Sequence, residues 1–379
     1  MHTTKYLIVG AGMTGDMAAK GIREHDSDGS ITMIGADPHP PYKRPLLTKG
    51  LWQGAPEEKI WREPAEGVEL VTGRRIVSLD LAAQRAANDA GEQYSWEKLL
   101  LATGAKPREI PGAEGVIWFR TLDDYRRLRE IAPEGSHVVV IGGGFVGSEI
   151  AAGLVGNGCR VTMLFPEPGI GFRLFPLGLS RFVADYYVAK GVDVRTEELV
   201  ASASGSRVET ESGLVLDADA VVAGLGVVAD TELAQSADLD VDDGIVVDEY
   251  GRVPGHENVF AAGDVARFPV PALGTTMRIE HEDHANSHGK AVGANMAGAE
   301  DPYDHLPFFY SDLFDLGYEA VGIVDSRLEV VEDWQEPNRK GVVTYVEGGK
   351  PRGVLLWNVW DKVDAARDLL RAGEGALAV

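Results

Sequence analysis

The chain has 379 residues, 44% of them hydrophobic, enough to bury more than one core, and its length points to two or three domains. Lys and Arg number 36 against 59 Asp and Glu, a formal net charge of -23 that opposes binding to nucleic acid and to anionic membranes. No stretch approaches the roughly 18 to 20 apolar residues of a membrane span. With a single cysteine, Cys159, neither an internal disulfide nor a two-cysteine redox relay can form. Cys159 stands at a helix–strand junction and reads as inert packing.

The first apolar strand, residues 6–9, begins almost at Met1, leaving no room for a presequence ahead of it, so a cytoplasmic address is expected. Residues 5–15 read as a strand running into a glycine turn, followed by a helix to about Arg23 and a strand at 31–34. A proline-rich loop follows at 39–45. Next come a polar, alternating region at 68–94 that reads as short antiparallel strands, and an apolar run at 98–103. The strand-turn pattern recurs at 137–147, with a helix over 148–155 and a strand at 160–165. Strands at 219–223 and 259–264 and a helix at 281–296 complete this part. Beyond it, Phe308, Phe309, Tyr310, Trp334, Trp357 and Trp360 lie among candidate strands at 318–324, 341–346 and 353–357, closed by a helix at 361–371. The fold class expected is α/β: two Rossmann-like dinucleotide-binding domains and a C-terminal α+β domain.

The first glycine turn is Gly10-Ala-Gly12-Met-Thr-Gly15. In such a turn the first Gly permits the tight bend, the second lets backbone approach a pyrophosphate, and the third allows close helix–strand packing. The pattern normally ends about 20 residues on, with an acid that holds a ribose hydroxyl. Asp37 is the candidate, although it stands a residue off the expected register. The second turn is Gly142-Gly143-Gly144-Phe145-Val146-Gly147, and Glu167 follows it at the expected spacing. A carboxylate there accepts from a free 2′-hydroxyl and repels a 2′-phosphate, which predicts NADH over NADPH, with Arg173 nearby as an opposing charge. Two dinucleotide sites in one chain imply hydride traffic from a nicotinamide to a tightly held flavin, since two nicotinamides have no obvious reaction with each other. Ala102-Thr103-Gly104 and Gly263-Asp264 each follow a strand and end in a turn, a sequence common in packing as well as in cofactor binding.

With these residues in place the chain resembles the pyridine-nucleotide flavoprotein reductases of glutathione-reductase-like fold. Within them it is similar to apoptosis-inducing factor and to the oxygenase-coupled ferredoxin reductases. The shared runs are PYKRPLLTK at 41–49, ATG at 102–104, IGGGFVGSE at 141–149, LFPE at 164–167, AGD at 262–264 and IEHEDHA at 279–285. YSDLFDLGYEA at 310–320 and LWNVW at 356–360 resemble the C-terminal domain of apoptosis-inducing factor. The resemblance implies an FAD-binding domain over 1–112 and 230–304, an NADH-binding domain over 113–229 and a C-terminal domain over 305–379 that covers the flavin. It implies FAD contacts from Arg44, Lys49, Ile76, Arg108, Asp264, His281, Glu282 and Tyr310, and NADH contacts from Phe145, Glu149, Gly226, Glu280 and Glu319. It further implies that Lys49 pairs with Glu149 beside the reacting flavin edge, where the carboxylate would offset the desolvation of the ammonium. Lys49, Glu149, Glu280, His281 and Tyr310 are the catalytic candidates. His281 is expected at the start of a helix whose dipole favours negative charge on reduced flavin, and His284 in packing. A metal role for the His-Glu-Asp-His run is set aside, because the relatives use that segment otherwise.

The departures narrow the function. Tyr310 stands where relatives usually carry tryptophan, so stacking on oxidised nicotinamide is expected to be weaker. No cysteine lies near Lys49, which removes disulfide-reductase and peroxide-reducing chemistry. The expected function is an FAD-dependent NADH oxidoreductase passing electrons to a ferredoxin- or rubredoxin-type protein or a quinone. The alternative is a slow NADH-responsive redox sensor with a long-lived charge-transfer complex. A homodimer is compatible with both.

Overall fold

The computed structural model describes residues 1–379. Its helices, in chain order, are α1 Met13–His25, α2 Leu122–Ile131, α3 Phe145–Gly156, α4 Leu177–Ala189, α5 Glu232–Ser236, α6 Glu282–Met296 and α7 Val363–Ala372. The chain divides into two compact units. One comprises Met1–Lys43, Glu58–Lys106 and Val228–Pro307; the other comprises Arg44–Glu57, Pro107–Val227 and Phe308–Val379.

The first unit is built on a sheet in the order Arg252–Val253, His256–Ala261, Gln93–Leu101, His2–Val9, Ile31–Gly35, Val68–Thr72. Its inner strands are parallel, with Tyr6 opposite both Ile31 and Lys98, and Val259 opposite Leu99. Their uninterrupted Val, Ile and Leu follow from that, since a parallel strand is covered on both faces. Val68–Thr72 also runs parallel, to Ile31–Gly35. The alternating region at 68–94 is therefore antiparallel only from Ile76–Asp80 onward, because its first strand completes the βαβ sheet instead. Helices α1 and α6 pack with their backbones nearly touching: a Cβ on Gly293 would lie 2.1 Å from the Ala18 carbonyl oxygen. That approach seals Ile22, Val292 and Met296 into one core with Tyr6, Ile8 and Phe260. Each such buried apolar side chain stabilises the unit by roughly 1.5–3 kcal/mol.

The second unit holds the other βαβ sheet, all parallel, in the order Asp193–Arg195, Arg160–Leu164, His137–Ile141, Ala220–Ala223, Ile117–Trp118. Helix α3 starts at Phe145, three residues before the expected start at 148, because the glycine turn supplies the N-cap itself at Gly144. Helix α2 has a full capping box: the Asp124 amide donates to the Thr121 hydroxyl and the Thr121 amide to the Asp124 carboxylate. The C-terminal residues form an antiparallel sheet ordered Phe308–Leu313, Leu316–Gly322, Lys350–Trp357, Lys340–Glu347, Glu329–Glu336. Against it packs α7, which buries Ala366 and Leu370.

Candidate functional site

The first unit carries the Gly10–Gly15 turn at the carboxyl end of strand His2–Val9. Gly10 has φ +119°, and a Cβ on it would lie 2.0 Å from the Ala102 carbonyl oxygen, so only glycine lets the two strand ends meet. Gly15 is locked inside the turn, where a Cβ would meet the Gly10 carbonyl oxygen at 2.1 Å. Gly12 differs. It is the N-cap of α1 without any side-chain cap, and a Cβ there would find no protein atom within 4 Å. The uncapped amide nitrogens of the first helical turn face open space, which fits a pyrophosphate.

Around this turn Asp37 holds the loop after Ile31–Gly35, its carboxylate accepting from the His39 amide at 3.1 Å and the Tyr42 hydroxyl at 2.8 Å. Ala102 and Ile76 are buried. Thr103 donates to the Asp230 carbonyl at 2.7 Å, and the Asp230 amide donates to the Gly104 carbonyl. The Gly263–Val265 turn is fixed by the Gly263 amide, which donates to His288 Nδ1 at 3.3 Å, and by Arg278, which donates to the Asp264 carbonyl at 3.3 Å. The same Arg278 guanidinium lies 2.5 Å from Glu280. His281 is the N-cap residue of α6, with Glu282 and Asp283 in its first turn. Burial pulls the His281 imidazole down to about 4 against the opposing pull of Asp264 and Asp283. His284 is fully buried, stacked on Phe268 at 4.6 Å and bonded through Nδ1 to the Tyr303 hydroxyl, a packing role.

The second unit repeats the glycine geometry. Gly142 has φ +113° and would clash with the Gly224 carbonyl, Gly147 would clash with the Gly142 carbonyl at 2.0 Å, and Gly144 is an uncapped helix N-cap facing open space. Gly143 lies flat against the Phe165 ring, and Val146 against Gly224. Glu167 stands beyond Arg160–Leu164 with Arg173 Nη2 3.6 Å from its Oε1. The Arg108 amide donates to the Gly226 carbonyl, and Arg44 donates to the Arg120 carbonyl at 2.7 Å. Phe145 makes an edge contact with Phe309 at 5.5 Å.

Within this unit Lys49, Glu149 and Tyr310 come together. Lys49 Nζ lies 3.4 Å from Glu149 Oε1, 3.7 Å from Asp312 Oδ2 and 3.7 Å from the centre of the Tyr310 ring. The Lys49 and Glu149 side chains are 11% and 9% exposed, so the ammonium and carboxylate act in a partly dry environment where each strengthens the other. Tyr310 itself is 36% exposed, leaving the ring accessible beyond the ammonium. Burial, and then the charge of Glu149, push the Tyr187 and Tyr318 phenols well up. Glu319 is directly opposite Tyr310 in the strand pair; burial, with Asp361, raises its carboxyl pKa, and its Oε2 has no partner.

Four residues to which the sequence reading assigns no role complete these clusters. Thr48 Oγ1 donates to Glu149 Oε2 at 2.5 Å and Ser311 Oγ to Oε1 at 2.6 Å, so both carboxylate oxygens are held by hydroxyls. In the first unit, Arg278 and His288 hold the Gly263–Asp264 turn. Their only sequence signal is proximity: Thr48 adjoins Lys49, Ser311 adjoins Tyr310, and Arg278 lies two residues before Glu280.

Residues 4–289 match the family model described as pyridine nucleotide-disulphide oxidoreductase, and residues 292–338 match that of the apoptosis-inducing factor, mitochondrion-associated, C-terminal region. The chain is 34% identical, over 98% of its length and 95% of the relative's, to the ferredoxin–NAD(+) reductase component of the anthranilate 1,2-dioxygenase system of Burkholderia cepacia. It is 30% identical to apoptosis-inducing factor 1, mitochondrial, of Dictyostelium discoideum, over 97% of this chain and 78% of that one. The covalent putidaredoxin reductase–putidaredoxin complex contains a similar structure, with a TM-score of 0.90 at 28% identity, covering 98% of this chain and 94% of that one.

Proposed function

The chain belongs to the pyridine nucleotide-disulphide oxidoreductase family and is an FAD-dependent NADH oxidoreductase, and we propose that it delivers its electrons to a ferredoxin-type protein. The observation that carries the reading is the repeated glycine turn, in which Gly12 and Gly144 each cap a helix with no side chain and face open space. The family name does not bring a disulfide with it: Cys159 is buried and is the one cysteine in the chain.

FAD, when bound, accepts two electrons from NADH and releases them to a second substrate. Gly10, Gly12 and Gly15 would hold its pyrophosphate on the N-terminus of α1, Asp37 its ribose and Asp264 its ribityl chain. Gly142, Gly144 and Gly147 do the same for the pyrophosphate of NADH, and Glu167 takes the free 2′-hydroxyl. Lys49 holds a fixed positive charge that favours electron density arriving at the reacting ring, and Glu149 keeps that ammonium oriented. We read residues 1–112 and 230–304 as the FAD domain, 113–229 as the NADH domain and 305–379 as the C-terminal domain. A cytoplasmic setting, where NADH is drawn from the soluble pool, goes with this reading; no helix is long and apolar enough to cross a membrane.

Support for the acceptor comes from the ferredoxin reductase relative, which this chain matches over nearly its whole length. The C-terminal match to the apoptosis-inducing factor model favours the second reading, a slow redox sensor whose reduced complex is the working state. Anaerobic stopped-flow reduction by NADH and NADPH, followed by mixing with oxygen, a ferredoxin and a quinone, separates them. Fast reduction and rapid reoxidation by the ferredoxin supports the reductase. Slow reduction ending in a long-wavelength band that resists oxygen supports the sensor.

A further inference from the structure

Arg278 brings three groups of its unit together. Its Nη1 lies 2.5 Å from Glu280 Oε1 and donates to the Asp264 carbonyl at 3.3 Å, and its Nε lies 3.4 Å from Asp243 Oδ1. The side chain is 9% exposed. The chain beside it is shaped to admit it: Gly244 has φ +147°, and a Cβ there would approach Arg278 Cδ at 3.1 Å and the Val265 carbonyl at 2.9 Å. A buried cation with this many fixed partners costs desolvation, which a bare structural ion pair seldom repays. A planar fork that never loses its proton suits holding two groups at a set distance.

We propose that Arg278 is a positioning residue that ties the Asp264 turn to the Glu280 carboxylate, so that the flavin-binding turn and the nicotinamide-binding acid keep one relative placement. This rests on the reading that Asp264 serves FAD and Glu280 serves NADH. One nitrogen, Nη1, serves both partners, so a shift of either is transmitted to the other through a single rigid group. His288 holds the same turn from its other end through the Gly263 amide. With both in place the turn is held at two consecutive residues. Loss of Arg278 removes a charged anchor of Glu280 while His288 still holds the turn, which predicts an effect on nicotinamide use larger than any effect on FAD retention.

The test uses the purified, flavin-loaded full chain and the variants Arg278→Gln, Arg278→Lys, Glu280→Gln and the Arg278→Gln/Glu280→Gln pair. Three quantities are read: FAD affinity by reconstitution of the apoprotein, NAD+ affinity by perturbation of the oxidised flavin spectrum, and the limiting rate of reduction by NADH. Arg278→Gln is expected to weaken NAD+ binding about five- to tenfold or slow reduction to a similar extent, with FAD affinity within about threefold of the parent. The double variant is expected to be no worse than Glu280→Gln alone, since the arginine acts through that acid. Arg278→Lys keeps the charge but loses the fork, and is expected to fall with Arg278→Gln; it also decides the matter if the glutamine variant does not fold. Parent-like NAD+ binding and reduction in Arg278→Lys, or additive losses in the double variant, overturn the positioning role. A parent protein that NADH fails to reduce overturns the underlying reading instead.

Discussion

Glu149 is held more closely by Thr48 than by Lys49: the Thr48 hydroxyl is 2.5 Å from Oε2, whereas the Lys49 ammonium is 3.4 Å from Oε1. Ser311 occupies Oε1 at 2.6 Å. The carboxylate is thus fixed by two hydroxyls from segments far apart in the chain, and its charge is left to orient the ammonium. Hydrogen bonds to charged groups contribute about 1.5–3 kcal/mol each. Thr48→Val and Ser311→Ala are each expected to slow flavin reduction by NADH roughly tenfold while leaving FAD bound, and Thr48→Ser to restore most of the rate. Glu149→Ala is expected to slow reduction more than it weakens FAD retention. Stopped-flow reduction and flavin content after gel filtration check this set; equal loss of both quantities in Glu149→Ala removes the assigned role.

Substitutions at Gly10 and Gly12 are expected to separate folding from binding within one turn. Gly10→Ala forces a Cβ to 2.0 Å from the Ala102 carbonyl at φ +119° and is expected to yield little folded protein. Gly12→Ala meets no protein atom within 4 Å, so the fold is expected to tolerate it. Its methyl group instead fills the space over the uncapped α1 N-terminus. Thermal stability of the apoprotein should therefore stay near the parent while FAD affinity drops by roughly tenfold or more. Apoprotein melting and FAD titration are the measurements, and a destabilised apoprotein with normal FAD affinity contradicts the assignment.

In the reading proposed above, Glu167 sets the choice between nicotinamide donors, with Arg173, 88% exposed and 3.6 Å away, opposing it. Removing the carboxylate in Glu167→Ala removes repulsion toward a 2′-phosphate and leaves the guanidinium. The ratio of kcat/KM for NADH over NADPH is expected to fall roughly tenfold, about 1.4 kcal/mol. Arg173→Ala is expected to move the same ratio upward. An unchanged ratio in Glu167→Ala means the second glycine turn selects its ligand by other means.

The two glycine turns and the strands that lead into them were legible in the sequence because a tight strand–helix turn and a buried parallel strand each impose residue types at fixed short spacings. The Glu149 clamp was not. Thr48 and Ser311 lie 101 and 162 residues from their partner, and a lone hydroxyl in a loop or strand carries no periodic signal. Helix α4 was missed for a related reason: Gly178 lies in its first turn and Leu177 and Val188 are exposed, which blurs the apolar stripe. The parallel pairing of Val68–Thr72 depends on a distant strand, Ile31–Gly35, and local alternation alone cannot distinguish it from a hairpin.

His288 is expected to make the folded state acid-sensitive. Its ring is 1% exposed, its Nδ1 accepts from the Gly263 amide, and burial pulls its pKa from the ordinary 6.5 down to about 3. His284, 4.7 Å away ring to ring, is pulled well below the ordinary value by burial and then by His288 and His281, while the Phe268 and Tyr303 rings pack on His288 at 4.9 and 4.6 Å. A histidine whose folded pKa lies below its unfolded one carries no penalty above about pH 6.5. As pH falls the unfolded chain takes up the proton first, so stability drops until the folded pKa is reached. For His288 alone, the fall from about pH 7 to about pH 5 amounts to about 2 kcal/mol, with His284 adding in the same direction. Denaturant unfolding of the flavin-loaded protein across that range is expected to show this loss. His288→Gln keeps an acceptor for the Gly263 amide but has no titrating ring, and is expected to flatten the slope by about one proton. A slope equal to the parent's in that variant places the acid sensitivity elsewhere.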